Sequence, residues 1–168
     1  MYRVGIITAS DKGSRGERED KSAQAIREII TGLGWEVVSY RLVPDEPEEI
    51  KSALIAFADE EKLDLVLTTG GTGLAPRDNT PEATREVITK EVPGLAEAMR
   101  SAGLKQTPRA MLSRGIAGIR GQTLIINLPG SPKAVRESLE AVLPALPHGL
   151  EILTGRGGEC GGERQTLV

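Results

Sequence analysis

The sequence predicts one α/β domain: a mostly parallel β-sheet with helices on both faces and an antiparallel strand added to it. Three observations predict it. β-Branched runs alternate with helical apolar patterns in the order strand, helix, strand, helix, strand, helix through the first half of the chain, the repeat of crossover units on a parallel sheet. The first run, Arg3–Ala9, is continuously apolar rather than alternating, as a strand covered on both faces should be. Further on, residues 116–119 and 122–128 flank Arg120-Gly121, the pattern of two strands about a tight turn and hence of an antiparallel pair. At 168 residues the chain can bury a proper core within one domain.

In order, Ser10-Asp11-Lys12-Gly13-Ser14-Arg15-Gly16 follows the first strand as a polar loop in which Ser10 and Asp11 serve as turn formers. The dinucleotide fingerprint G-x-G-x-x-G is absent here. Asp20 or Ser22 caps a helix whose residues Ala23, Ile26, Ile29 and Ile30 share one face, and Gly32 and Gly34 end it. Residues 35–43 form the second strand, closed by Pro44. Asp45-Glu46-Pro47-Glu48 then reads as a capping box, with Asp45 as N-cap and Pro47 in the first turn. Ile50, Ala53, Leu54, Phe57 and Ala58 supply that helix's buried stripe.

The third strand, entering at Leu65, runs into a glycine-rich loop, after which Thr80-Pro81-Glu82 starts another helix. Its pattern continues through Ala83, Val87 and Ile88 until Val92-Pro93-Gly94 interrupts it, and residues 95–104 resume as a helix. Residues 109–115 read equally as a helical turn or a loop. The last helix opens with Ser131 as N-cap and Pro132 at its first position, and buries Ala134, Val135, Leu139, Val142 and Leu143. Beyond Leu153 the glycine-rich run does not order itself cheaply, so the domain spans 1–153 and a flexible tail 154–168.

Composition excludes several functions. Lys and Arg total 21 against 24 Asp and Glu, interspersed, for a net charge of −3, and one Trp, one Phe and two Tyr leave little for base stacking; nucleic acid is not an expected partner. No run of eighteen apolar residues and no cleavable apolar leader is present, so neither membrane insertion nor secretion is expected and a cytoplasmic protein is. With one cysteine, Cys160, and one histidine, His148, a metal would have to be held by oxygen.

The chemistry points to the stretch Thr68-Thr69-Gly70-Gly71-Thr72-Gly73-Leu74-Ala75-Pro76-Arg77-Asp78. Glycines at a strand end let main-chain N–H groups converge on an anion, and the hydroxyls of Thr68, Thr69 and Thr72 would add donors. Asp78 stands where a bound phosphate needs a metal partner or a proton acceptor. The same glycines would equally serve a tight strand-to-helix turn; Arg77-Asp78 beside them favours function. Loops following parallel strands gather on one sheet edge, and ligands bind where strand order reverses. Ser10-Asp11, Pro44-Asp45 and residues 70–78 should therefore share an edge. The Pro129-Gly130-Ser131-Pro132-Lys133 turn reads by itself as a capped turn; at a strand end and helix start it would alternatively meet a second phosphate or polar ring through main-chain N–H groups and Lys133. A P-loop ATPase is excluded, because no Gly-Lys-Ser/Thr follows the cluster.

Taken together, Thr68 to Gly73 with Arg77-Asp78 and Thr80-Pro81, Pro44-Asp45-Glu46 upstream, Leu112-Ser113-Arg114, and Leu128-Pro129-Gly130-Ser131-Pro132-Lys133 downstream resemble the molybdopterin adenylyltransferase family. That family comprises the bacterial MogA and MoaB proteins and the G domains of gephyrin and its plant counterpart. The resemblance runs from about Val4 to about Leu153, with the motifs in the family's order and spacing. It implies a three-layer α/β/α molybdopterin-binding fold, usually a homotrimer, in which Mg²⁺ and ATP serve to adenylylate molybdopterin and release pyrophosphate. The product then awaits metal insertion, with a molybdenum insertion protein as a further partner.

The family's essential acids fall on Asp45 and Asp78, which the resemblance makes metal holders. Its nucleotide and pterin contacts fall on Ser10, Asp11, Gly70, Gly71, Thr72, Gly73, Ser113, Pro129, Gly130, Ser131 and Lys133. Gly103 departs from members that carry serine there. Two other roles belong to similar proteins. A MoaB-type binding protein would hold molybdopterin without being the principal adenylylating enzyme, and the related domain of competence/damage-inducible proteins would come with a long C-terminal partner.

Overall fold

The computed structural model describes residues 1–157. Six strands, β1 (Arg3–Ala9), β2 (Glu36–Val43), β3 (Leu65–Thr69), β4 (Lys90–Glu91), β5 (Ala117–Arg120) and β6 (Thr123–Leu128), form one sheet in the order β2-β1-β3-β6-β5-β4. β2, β1, β3 and β6 are parallel, β5 runs antiparallel to β6, and β4 antiparallel to β5. The fold is therefore the α/β class expected. β4 was not legible in the sequence: Lys90 and Glu91 are exposed and carry no apolar signal, and it is the backbone of β5 that makes them a strand.

Helices α1 (Asp11–Ser14), α2 (Lys21–Gly32), α3 (Pro47–Ile55), α4 (Thr80–Val87), α5 (Pro93–Leu104), α6 (Pro132–Val142) and α7 (Leu146–Thr154) complete the fold. Alternating side chains of the buried strands divide the core in two, because successive residues of a strand point to opposite faces. On one face Val4, Ile6, Leu65, Leu67 and Ile126 pack against α2, α5, α6 and α7. On the other, Ile7, Val66 and Ile125 meet α3 and α4, with Phe57 from a π-helical turn (Ala56–Glu60) that continues α3. The three layers follow from this division.

The structure revises several local assignments. The loop after β1 contains the short helix α1, capped by Ser10 Oγ, which accepts from Gly13 N at 2.9 Å. α3 has Glu46, not Asp45, at its N-cap, with no side-chain cap bond. Asn79 rather than Thr80 precedes α4. Residues 108–112 form a 3₁₀ turn (Pro108–Leu112), and Gly103 is required there, since a Cβ would lie 2.7 Å from the Ala110 methyl.

α7 extends through Thr154 and closes on Gly155 in the left-handed conformation, so the expected tail begins with residues packed on the domain; residues 158–168, Cys160 included, lie outside the described residues. Arg156 donates to Asp64, at 3.0 Å from each terminal nitrogen, and the nearly buried Asp64 carboxylate also accepts from Arg3 N at 2.8 Å. Removing one partner of a buried acceptor costs about 1–3 kcal/mol, and the half-exposed guanidinium places this pair at the low end. Arg156→Ala should accordingly lower stability by about 1 kcal/mol, read from urea denaturation. Among the described residues no helix is long and apolar enough to cross a membrane.

Candidate functional site

The chain passes from β1 to β2 on one side and returns to β3 on the other, so the carboxyl ends of β1 and β3 form the reversal point of the sheet. Beyond them lies a cleft of about 770 Å³ whose lining includes Ser10, Asp45, Gly70, Gly71, Asp78 and Ser131. Loops separated by up to 121 positions in sequence, between Ser10 and Ser131, thus meet at one rim, as the parallel sheet requires. A second cleft, of about 280 Å³, is lined by Met99, Arg100, Ser113, Asn127, Pro129 and Ser131 among others. Ser131 borders both.

Positive φ at Gly70 (+90°) and Gly71 (+69°) turns the chain at the end of β3. Neither position has room for a side chain: a Cβ on Gly70 would overlap the Ala9 carbonyl of β1, and one on Gly71 would overlap Thr80 Oγ1 and stand 3.4 Å from Asp45 Oδ1. The Pro129-Gly130 loop is brought against this turn by two hydroxyls. Thr69 Oγ1 donates to Pro129 O and Ser22 Oγ to Gly130 O, each at 2.6 Å. Thr68 and Thr69, expected as ligand donors, are both fully buried: Thr69 lines the first cleft but its hydroxyl is engaged by Pro129 O, and Thr68 Oγ1 accepts from the Asn127 amide at 3.0 Å. Thr72 is likewise buried.

The acids are joined across the rim. Asp11 N donates to Asp45 Oδ2 at 2.9 Å while Asp45 N donates to Asp11 Oδ1 at 3.0 Å, so the loops after β1 and β2 are tied reciprocally. Arg77 then forks onto Asp11, through Nε at 2.6 Å and Nη2 at 3.0 Å, and Nη2 also reaches Glu46 at 2.8 Å. Asp78 turns back on its own loop, its Oδ2 accepting from Ala75 N at 3.0 Å. Burial raises the Asp45 carboxyl above its ordinary value, and the charges of Asp11 and Asp78 push the same way against the Asp11 N–H and Arg77. Asp11 moves oppositely, held low first by the Arg77 bond and then by the Asp45 main chain.

Such crowding of negative charge beside main-chain N–H groups suits an oxygen-ligated cation. Among the described residues no three acidic, imidazole or thiol side chains converge as a metal cage. Asp45 and Asp78 are among the carboxylates that line the first cleft. Thr80 Oγ1, buried without a partner among the described residues, lies directly behind Gly71.

Of the residues assigned from sequence, Ser10, Asp45, Gly70, Gly71, Asp78, Gly130 and Ser131 line the first cleft, and Ser113, Pro129 and Ser131 the second. Asp11, Thr72 and Gly73 support these walls from outside the linings. Lys133 lines neither: its side chain is 81% exposed and leans toward Glu137 at 3.8 Å, one turn along α6. Sequence reasoning missed the roles of Arg77 and Asn127. The signal for Asn127 was present, an amide inside the continuously apolar β6; its bonds to Thr68, to Thr84 (2.9 Å) and from Ile116 N (3.2 Å) bind the strand to α4 and β5.

Comparison with known proteins agrees with this geometry. The family described as probable molybdopterin binding domain matches residues 5–148. A molybdopterin adenylyltransferase of Helicobacter pylori (strain J99) is 49% identical over 154 residues, spanning 90% of this chain and 88% of the relative. One of Escherichia coli (strain K12) is 45% identical over 146 residues, 85% of this chain and 74% of that one. The crystal structure of the molybdopterin biosynthesis enzyme MoaB from Thermus thermophilus is 66% identical and superposes with a TM-score of 0.88, over 92% of this chain and 98% of the other.

Proposed function

Because the chain belongs to the molybdopterin binding domain family, we propose that it works in molybdenum cofactor biosynthesis as a molybdopterin adenylyltransferase. The observation that carries this reading is the meeting of Asp45 and Asp78 with the Gly70-Gly71 turn in one cleft at the reversal point of the sheet. The names of the Helicobacter and Escherichia relatives support it. In the reaction the terminal phosphate of molybdopterin attacks the α-phosphorus of ATP. A phosphoanhydride bond to adenylate forms, the bond between the α- and β-phosphates breaks, and pyrophosphate leaves with the electron pair.

Bound Mg²⁺, held by Asp45 and Asp78, would neutralise charge along the phosphates. The remaining tasks belong to the chain. Gly70 and Gly71 present main-chain N–H groups to phosphate oxygens without side-chain interference. Asp11, itself fixed by Arg77, holds the Asp45 main chain and receives its carboxylate in return, so that the metal-holding oxygen is pre-set. Ser131 borders both clefts and Gly130 the first, and the start of α6 there favours an anion. The attacking phosphate is already an anion at neutral pH, so no general base is needed and alignment supplies much of the rate.

The test is pyrophosphate release from ATP in the presence of molybdopterin. Release should require both substrates and Mg²⁺ and cease with EDTA. A chain that binds molybdopterin tightly yet releases none would instead have the MoaB-type binding role. We place the reaction in the cytoplasm and in a homotrimer, with the product passed to a molybdenum insertion protein. Leu74, Met111 and Leu112 are exposed apolar residues, at 67%, 62% and 49%, available to an interface between copies. Light scattering should give the mass of three chains at micromolar concentration; a monomer mass would sink the trimer.

A further inference from the structure

We propose that Arg114 is the positioning residue of the Asp78 loop, a role that rests on the adenylyltransferase reading given above. The loop from Thr72 to Asp78 has little apolar packing to hold it: residues 74–77 are exposed, and its internal bonds are those between Ala75 and Asp78. A segment of this kind gains order only from polar contacts strong enough to offset its conformational entropy. Arg77 supplies some of them through Asp11 and Glu46, and Arg114 those that hold the loop's main chain. Its Nε donates to Gly73 O at 2.8 Å, its Nη2 to Asp78 O at 2.7 Å, and its Nη1 pairs with the Glu82 carboxylate on α4. Its main-chain N donates to Thr72 O at 2.9 Å. One planar guanidinium thereby spans both ends of the loop, which the single ammonium of lysine cannot do.

The anchor is itself anchored. Arg100 of α5 donates through Nη1 to Ser113 O at 3.3 Å and to Gly115 O at 2.9 Å, gripping the main chain on either side of Arg114. Ser113, Gly115 and Arg100 line the second cleft, whereas Asp78 lines the first, and Arg114 lines neither. Arg114 thus links the main chain at the second cleft's wall to the loop that carries the acid in the first. Its ion pair with Glu82, half-exposed, is the lesser part, since such pairs contribute little.

The full-length variants Arg114→Gln, Arg114→Lys and Glu82→Gln test this by three readouts: amide hydrogen exchange of residues 72–79 without ligands, kcat and KM for pyrophosphate release, and melting temperature. Arg114→Gln should speed exchange in that loop about tenfold or more, lower kcat by about tenfold or more while KM for ATP changes by less than about threefold, and leave the melting temperature nearly unchanged. Arg114→Lys should fall between, and Glu82→Gln should behave as the unaltered protein. Wild-type exchange and kcat in Arg114→Gln would overturn the proposal, as would equal losses in Glu82→Gln. If Arg114→Gln does not fold, Arg114→Lys decides: full melting temperature with a looser loop and lower kcat supports the role, and unchanged values refute it. If the unaltered chain releases no pyrophosphate, the functional reading fails while loop exchange still tests the staple.

Discussion

Asp78→Asn should lower pyrophosphate release by on the order of a hundredfold or more, with the fold intact. The carboxamide keeps the shape of the side chain and an oxygen able to accept from Ala75 N, so the loop loses little. On the proposed function it loses the charge that would oppose a bound cation, and electrostatic stabilisation of a phosphoryl transition state is typically worth about 3–4 kcal/mol. A loop carboxylate without that task would change stability by no more than about 0.5 kcal/mol and leave turnover alone. Asp45→Asn should behave alike, and the structure sharpens that comparison. Asp45 caps no helix; Glu46 holds the N-cap of α3, and Asp45 instead accepts from Asp11 N, a bond asparagine can keep. Loss of turnover at an unchanged melting temperature would then report charge alone. Near-normal turnover in both variants would remove the catalytic assignment.

Gly70→Ala should destabilise the protein by about 2–4 kcal/mol and abolish nucleotide binding. A left-handed backbone costs an ordinary residue about 1–2 kcal/mol, and here the new methyl would also strike the Ala9 carbonyl. That carbonyl belongs to the central strand β1, paired on both sides, and cannot yield. Gly71→Ala meets a different obstacle, the hydroxyl of Thr80, which has no partner among the described residues. Thr80→Ala should therefore recover about 1 kcal/mol of the Gly71→Ala loss, a coupling of the size seen between residues in contact, and recover none of the Gly70→Ala loss. Urea denaturation of the double variants, with calorimetry of ATP binding, checks both statements. Equal recovery at the two positions would mean that the turn is not held as described.

Much of the molecule was legible in order. The continuous run Arg3–Ala9 and the capped, proline-led start of α6 at Ser131 came out as read, because each signal is local: burial on both faces demands unbroken apolar residues, and a helix start demands an acceptor for its free N–H groups. The Asp-x-x-Glu pattern at Asp45 misled for the same reason. It satisfies a local rule, while the partner that won, Asp11 N, stands 34 positions away. Thr68 and Thr69 looked like donors facing a ligand, yet β6 pairs with β3, so that the Thr68 hydroxyl meets Asn127 of β6 and that of Thr69 donates to Pro129 O just beyond it.

The sequence by itself determined the elements, their alternation and hence the α/β class, together with the rule that loops after parallel strands share an edge; these depend on periods of two and 3.6 residues and on a few capping positions. Only the tertiary structure decided which loops touch. Strand order places Asp11 against Asp45, Arg77 across Asp11 and Glu46, and the Pro129-Gly130 loop against Gly70. No periodicity encodes that order, because it is set by which apolar faces bury best against one another over the whole sheet, and the site's contacts follow from it.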